Sequence, residues 1–178
     1  MSVDTRDALA TALTDLQGKL READQPSVLR FSADTRLVKG FLTDAAIRDF
    51  NLTVDEPSAL GGTDRGPNPV ELVLAALGTC QEITYATYAR LLGVPLDRVE
   101  VTVSGELDLR GFLAAADDVP PGYQQIEYEV QIESPASPEV IEELVATVEK
   151  HCPLLDILQR GLPVRGSYRL NGEEEAAA

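Results

Sequence analysis

The chain is short of the residues on which most active sites are built. It has no tryptophan, one methionine, one histidine and two cysteines among 178 residues, and aromatic residues make up 5%. Two cysteines, Cys80 and Cys152, are too few for a disulfide scaffold but enough for one redox pair. With His151 as the sole imidazole, a conventional zinc site would lack protein ligands unless carboxylates or a second chain supplied them. Cations are scarce too: 15 Lys and Arg stand against 30 Asp and Glu, a formal charge of −15. That balance argues against nucleic acid and anionic membranes as partners, since both need clustered Lys and Arg to displace counterions. No apolar run approaches the ~20 residues of a membrane span, and no hydrophobic signal segment opens the chain. GxSxG, HExxH and spaced metal ligands are missing, which disfavours ordinary hydrolases and metalloenzymes. The expectation is one acidic, soluble, cytoplasmic domain.

What is present is a sequence of clear periodicities. From Asp4 to Glu22, Leu9, Leu13, Leu16 and Leu20 recur at helical spacing, which predicts an amphipathic N-terminal helix. Val28–Val38 and Phe41–Val54 read as two strands, the second with Phe50, Leu52 and Val54 alternating with polar residues. A Gly- and Pro-marked loop, Glu56–Pro69, leads into the longest apolar stretch, Val70–Leu92. Asn68, Pro69 and Glu71 stand where an N-cap, a first helical proline and a capping-box carboxylate belong. Val70 to Leu77 is apolar nearly all round, so this helix needs cover on every side, and a second subunit is one source of it. Strands at Val99–Leu109 and Gln125–Glu133 follow, then a helix opened by Ser137-Pro138. A short turn from Pro153, a last strand at Val164–Leu170 and a frayed tail complete the chain. The order predicts an α+β fold: residues 1–25 as a helical extension, 26–172 as the domain and 173–178 as a disordered tail.

The thiols are the chemical candidates. Cys80 lies midway along the buried helix and Cys152 closes the apolar stripe of the later one, so both point inward. Packing of the two helices on each other would bring the sulfurs within disulfide range. The alternative is that both are small buried hydrophobes. Cys152 also precedes Pro153 at a helix start, near N–H groups that favour a thiolate, whereas His151 reads as a surface residue at a helix end. Glu71 is nine residues from Cys80, half a turn out of phase and ~13 Å along the axis, so it caps the helix or acts only through another chain. Gly61–Gly66 lacks the signature of a phosphate loop and reads as structural.

Two motifs carry a family resemblance. Gly66-Pro-Asn-Pro-Val-Glu-Leu-Val-Leu-Ala-Ala-Leu-Gly-Thr-Cys80 resembles the central helix of the OsmC/Ohr family, and Glu149-Lys-His-Cys-Pro-Leu154 resembles its second cysteine motif. The order of elements is similar from about Leu29 to Leu170, with the N-terminal helix as an addition. The resemblance implies an OsmC-like fold: an intertwined homodimer with central cysteine-bearing helices wrapped by antiparallel sheets. It further implies thiol-dependent reduction of organic hydroperoxides, with Cys80 as peroxidatic and Cys152 as resolving cysteine and an external dithiol as reductant. No metal or bound organic cofactor is implied. In the hydroperoxide-resistance branch a Glu and an Arg assist the attacking cysteine. Here the Glu position falls on Val70, one place before Glu71, and the Arg position falls near Lys39, or on Arg36 with a gap. Leu77 and Ile83 would favour greasy substrates. Two alternatives stand beside this reading: a non-catalytic dimer binding a small molecule, and a dithiol–disulfide exchange protein.

Overall fold

The computed structural model describes residues 3–171 and 173–175; the remaining residues of the expected extension and tail lie outside them. Helix α1 (Val3–Arg21) packs against α2 (Pro69–Leu91). Leu13 is half-buried, whereas Leu9, Leu16 and Leu20 stay exposed, so only part of the predicted stripe is covered. Three strands follow: β1 (Asp34–Lys39), β2 (Leu42–Ile47) and β3 (Phe50–Val54), joined as an antiparallel meander in the order β1-β2-β3.

Two strand expectations need correction here. The first strand begins at Asp34, not Val28, because Val28, Leu29 and Phe31 have no pairing partner and are almost wholly exposed. The second stretch is a hairpin: Ile47 pairs with Phe50 across Arg48-Asp49, and Arg48 adopts the left-handed conformation at φ 55°. Without Gly or Asn, that turn had no strong sequence signal.

Asp55 then organises the loop to α2. Its buried carboxylate accepts from the Glu56, Thr63 and Arg65 N–H groups at 2.9, 3.1 and 3.3 Å and from the Thr63 hydroxyl at 2.5 Å. A Cβ on Gly62 would lie 1.8 Å from the Glu56 carbonyl oxygen, so this loop can close only over glycine. The capping box is present as expected: the Glu71 N–H donates to Asn68 Oδ1, and the Asn68 N–H donates to Glu71 Oε2, both at 2.8 Å.

Strands β4 (Arg98–Leu107) and β5 (Tyr123–Glu133) form a long antiparallel hairpin, with the one-turn helix α3 (Leu109–Phe112) in its connection. Its alternation places Val99, Val101, Val103, Ile126, Tyr128, Val130 and Ile132 on one half-buried face, with polar residues opposite. A two-stranded ribbon is marginal alone; α2 covers this one. At Gly78 the helix comes so close to β4 that a Cβ would sit 3.3 Å from Val103 Cγ2.

Helices α4 (Pro138–His151) and α5 (Pro153–Gln159) pack against α2. Tyr85, Ala89, Leu144 and Val148 form one buried cluster; Leu77, Cys152 and Leu155 form the other. The last strand is shorter than expected: β6 (Tyr168–Leu170) pairs with β7 (Glu173–Glu175), and Val164 is 92% exposed. This is an α+β architecture of antiparallel sheets and helices. No helix among the described residues is long and apolar enough to cross a membrane.

The single chain leaves much apolar surface open. Helix α2, expected to be covered all round, buries Leu77, Gln81, Thr84, Tyr85 and Ala89, but its opposite side exposes Ala75, Ala76, Thr79 and Ile83. The β1–β3 meander makes no broad contact with any helix, and Leu37, Val38, Phe41 and Phe50 are exposed on it.

Candidate active site

The cysteines meet where α2 crosses the junction of α4 and α5. Cys152 is the single residue between the two helices. Its φ of −73° and ψ of 115° leave the helical region, as expected for the residue before a proline. The chain stays tied across the break, because the Cys152 N–H donates to the Val148 carbonyl at 2.8 Å and the Asp156 N–H donates to the Cys152 carbonyl at 3.0 Å. The Cys152 side chain is fully buried (0% exposed) in a cluster with Leu77 and Leu155, on which Cys80, Val103, Ile126, Tyr128 and Leu154 pack. Cys80 is half-buried, and both cysteines are free. The thiols adjoin closely enough to hydrogen-bond to each other.

Burial is the main influence on Cys80 and pushes its thiol up. The adjoining Cys152 adds to this. Two donors oppose it: the Leu154 backbone N–H in the first turn of α5, and the Thr84 hydroxyl. As it stands, the one hydroxyl proton of Thr84 goes to the Cys80 carbonyl oxygen at 2.7 Å, one turn back along α2. The sequence placed helix-terminal N–H groups near Cys152; the fold directs the Leu154 N–H to Cys80 instead. Among the described residues, no cation stands among the main influences on Cys80.

The other predicted residues lie apart. Arg36 and Lys39 are on β1, which has no broad contact with the cysteine-bearing helices, and exposed Arg36 pairs with Asp44 at 3.3 Å. Glu71 is occupied as the capping carboxylate at the start of α2. Beside it, the Tyr123 hydroxyl donates to the Val70 carbonyl at 3.0 Å, and burial followed by the nearby Glu71 charge pushes that phenol up. His151 stacks on Tyr88 with ring centroids 5.2 Å apart, away from the thiols. Ile83 is 67% exposed and Leu77 is buried against Cys152, so of this pair only Leu77 touches the thiol site within the chain.

Sequence reasoning missed Thr84, Gln81, Tyr128 and Glu149. Thr84 was legible, being four residues after Cys80 and therefore on its face of the helix. Tyr128 had no such signal, since alternation placed it inward without saying what it would meet. It lines a cavity of about 310 Å³ with Leu77, Ile126, Leu155 and Leu158 on one side and Tyr123 and three glutamines on the other, sharing Leu77 and Leu155 with the Cys152 cluster. Among the described residues, no three His, Cys, Asp or Glu side chains converge as metal ligands.

Residues 62–166 match the family model of OsmC-like proteins, and the chain belongs to that family. An OsmC-like protein from Mycoplasma pneumoniae shares the fold at a TM-score of 0.64 and 22% identity, over 77% of this chain and 89% of that one. An organic hydroperoxide resistance protein OsmC from Legionella pneumophila superposes with a TM-score of 0.58 at 19% identity, over 75% of this chain and 92% of that one. One from Elizabethkingia anophelis gives 0.58 at 17%, over 77% and 92%. No curated protein sequence matches the chain.

Proposed function

We propose that the chain is a thiol-dependent peroxidase that reduces organic hydroperoxides, with Cys80 as nucleophile and Cys152 as resolving thiol. The observation that carries this reading is the pair itself: two free thiols in contact, one half-open and one fully buried behind it. The Cys80 thiolate attacks the terminal peroxide oxygen, the O–O bond breaks, and the alcohol leaves with a proton. Cys80 is then a sulfenic acid. Cys152 attacks that sulfur, water departs, and a disulfide forms that an external dithiol reduces. The leucine and isoleucine side of the cavity that adjoins the Cys152 cluster offers a place for an alkyl chain. Two neighbours of similar fold carry hydroperoxide resistance in their names, which supports the substrate class.

Among the described residues no cation is a main influence on Cys80, and burial works against its ionisation, so the activating charge comes from elsewhere. A homodimer supplies it. The β1–β3 meander projects with free edges and exposed apolar residues, as an arm that wraps a second copy does, and it carries Arg36 and Lys39. The open side of α2 supplies the central contact. The competing reading, a dimer that binds a small molecule without turnover, draws on the raised Cys80 thiol and on the placement of Glu71 in a cap.

Anaerobic thiol titration before and after one equivalent of cumene hydroperoxide tests the proposal, repeated with Cys80→Ser. Loss of both thiols within seconds, abolished by the substitution, is the expected result. Thiols unchanged after minutes in excess peroxide would leave the binding dimer in its place.

A further inference from the structure

Behind Cys152 lies a set of polar side chains that the scheme above does not use. The Tyr128 hydroxyl donates to Glu149 Oε1 at 3.0 Å, joining β5 to the exposed end of α4. Gln81, buried on α2 and adjacent in sequence to Cys80, also hydrogen-bonds Tyr128. Its own carbonyl oxygen Oε1 is buried without a hydrogen-bond partner. Tyr85, one turn further along α2, is buried against the same carboxylate, and burial followed by that charge pushes its phenol up to about 12. Tyr128 packs directly on the cluster that holds Cys152. A buried thiol that must lose a proton thus shares its cluster with a tyrosine whose hydroxyl is bonded to a carboxylate at the surface.

We propose that Tyr128 and Glu149 form the proton route of Cys152, Tyr128 relaying the thiol proton and Glu149 acting as a positioning residue through Tyr128. This rests on the resolving role assigned to Cys152 above. As the Cys152 sulfur loses its proton to the Tyr128 oxygen, the tyrosine's own proton moves to Glu149. The thiolate attacks the Cys80 sulfur, the S–O bond breaks, and the departing hydroxide recovers the proton as water. The S–S bond replaces the S–O bond, and no outside oxidant is needed. The titratable groups packed on the Cys152 cluster are Cys80 from α2 and Tyr128 from β5, with Glu149 of α4 reached through Tyr128; His151 is held on Tyr88. Gln81 is the second holder of the Tyr128 hydroxyl.

A disulfide probe isolates this step from peroxide chemistry. Reduced protein receives one equivalent of 5,5′-dithiobis(2-nitrobenzoate), which reaches half-open Cys80 first. Attack of Cys152 on the mixed disulfide then releases a second coloured thiolate, followed against pH in wild type, Tyr128→Phe and Glu149→Gln. The expected result is a second release at least about a hundredfold slower in both variants near neutral pH, at the low side of general-base assistance. The rates should converge on wild type at alkaline pH, where hydroxide takes the proton without the relay. Unchanged rates overturn the proposal, and so does a slowing of the same size at every pH, which marks a packing effect alone. No second release from the wild type overturns it together with the resolving role. Exposed Glu149 can be replaced without disturbing the core, so misfolding of Tyr128→Phe leaves the test intact. Wild-type thiols inert to cumene hydroperoxide would remove the peroxidase reading while this release still decided the relay.

Discussion

Replacing Ile83 by alanine distinguishes a chain that works alone from one that works as a pair. Ile83 sits on the open side of α2 and is 67% exposed in the single chain. If that side faces solvent, the substitution changes stability by less than about 0.5 kcal/mol, as surface changes usually do. If a second copy covers it, the three carbons that separate isoleucine from alanine are lost from a buried contact at roughly 0.8 kcal/mol each. About two thirds of the residue is available to be covered, which gives about 1.6 kcal/mol per chain. A symmetric interface doubles this to about 3 kcal/mol, so the dimer Kd should rise roughly a hundredfold. Sedimentation over a range of concentrations measures that directly. Thermal melting provides a second reading, because the Tm of a folding-coupled dimer rises with protein concentration. A monomeric wild type with concentration-independent melting would refute the reasoning. So would a dimer whose Kd does not respond to the substitution, since the partner would then cover some other face.

Four further outcomes are expected. Leu77→Ala, which removes a buried side chain from the Cys152 cluster, should cost about 2–3 kcal/mol, the low end for such changes because the site borders an open cavity. That lowers the Tm by roughly 5–10 °C on a differential scanning calorimeter. Thr84→Val should slow iodoacetamide alkylation of Cys80 at neutral pH, whereas Thr84→Ser should not, because serine keeps the hydroxyl that, with the Leu154 N–H, opposes the effect of burial. Cys152→Ser should stop the cycle at the Cys80 sulfenic acid after one equivalent of hydroperoxide, seen as a dimedone adduct by mass spectrometry. For pH dependence, the Thr63 hydroxyl, opposed by burial and helped by backbone N–H groups, holds Asp55 below its ordinary range. Its contribution to stability is complete above the ordinary aspartate value of about 3.9. It is lost as pH falls through the lower folded-state value. Asp55→Asn should therefore flatten the acid limb of the Tm-against-pH curve; an unaltered limb would show that Asp55 does not set it.

Helices were legible where local chemistry decides. Asn68-Pro69-Val70-Glu71 carries its own capping box, and Ser137-Pro138 opens α4 within one residue of the expected start. The β4–β5 hairpin was legible for the same reason, since alternating side chains on a pleated strand show which face is covered. Strand limits failed where pairing decides. Val28–Phe31 has strand composition but no neighbour to bond to, and the break at Arg48-Asp49 depends on a backbone conformation that those residues do not advertise.

The sequence by itself determined the two thiols, their helices and the family, because motif spacing and periodicity are properties of a few consecutive residues. Tertiary structure decided what surrounds each sulfur. Only the crossing of α2 over the α4–α5 junction turned the Leu154 N–H toward Cys80 and set Tyr128 on the cluster that holds Cys152. It also assigned Glu71 to a cap and put Arg36 and Lys39 on an arm away from the cysteines of their own chain. Such contacts join residues tens of positions apart, and their geometry follows from how whole elements pack, which no local pattern encodes.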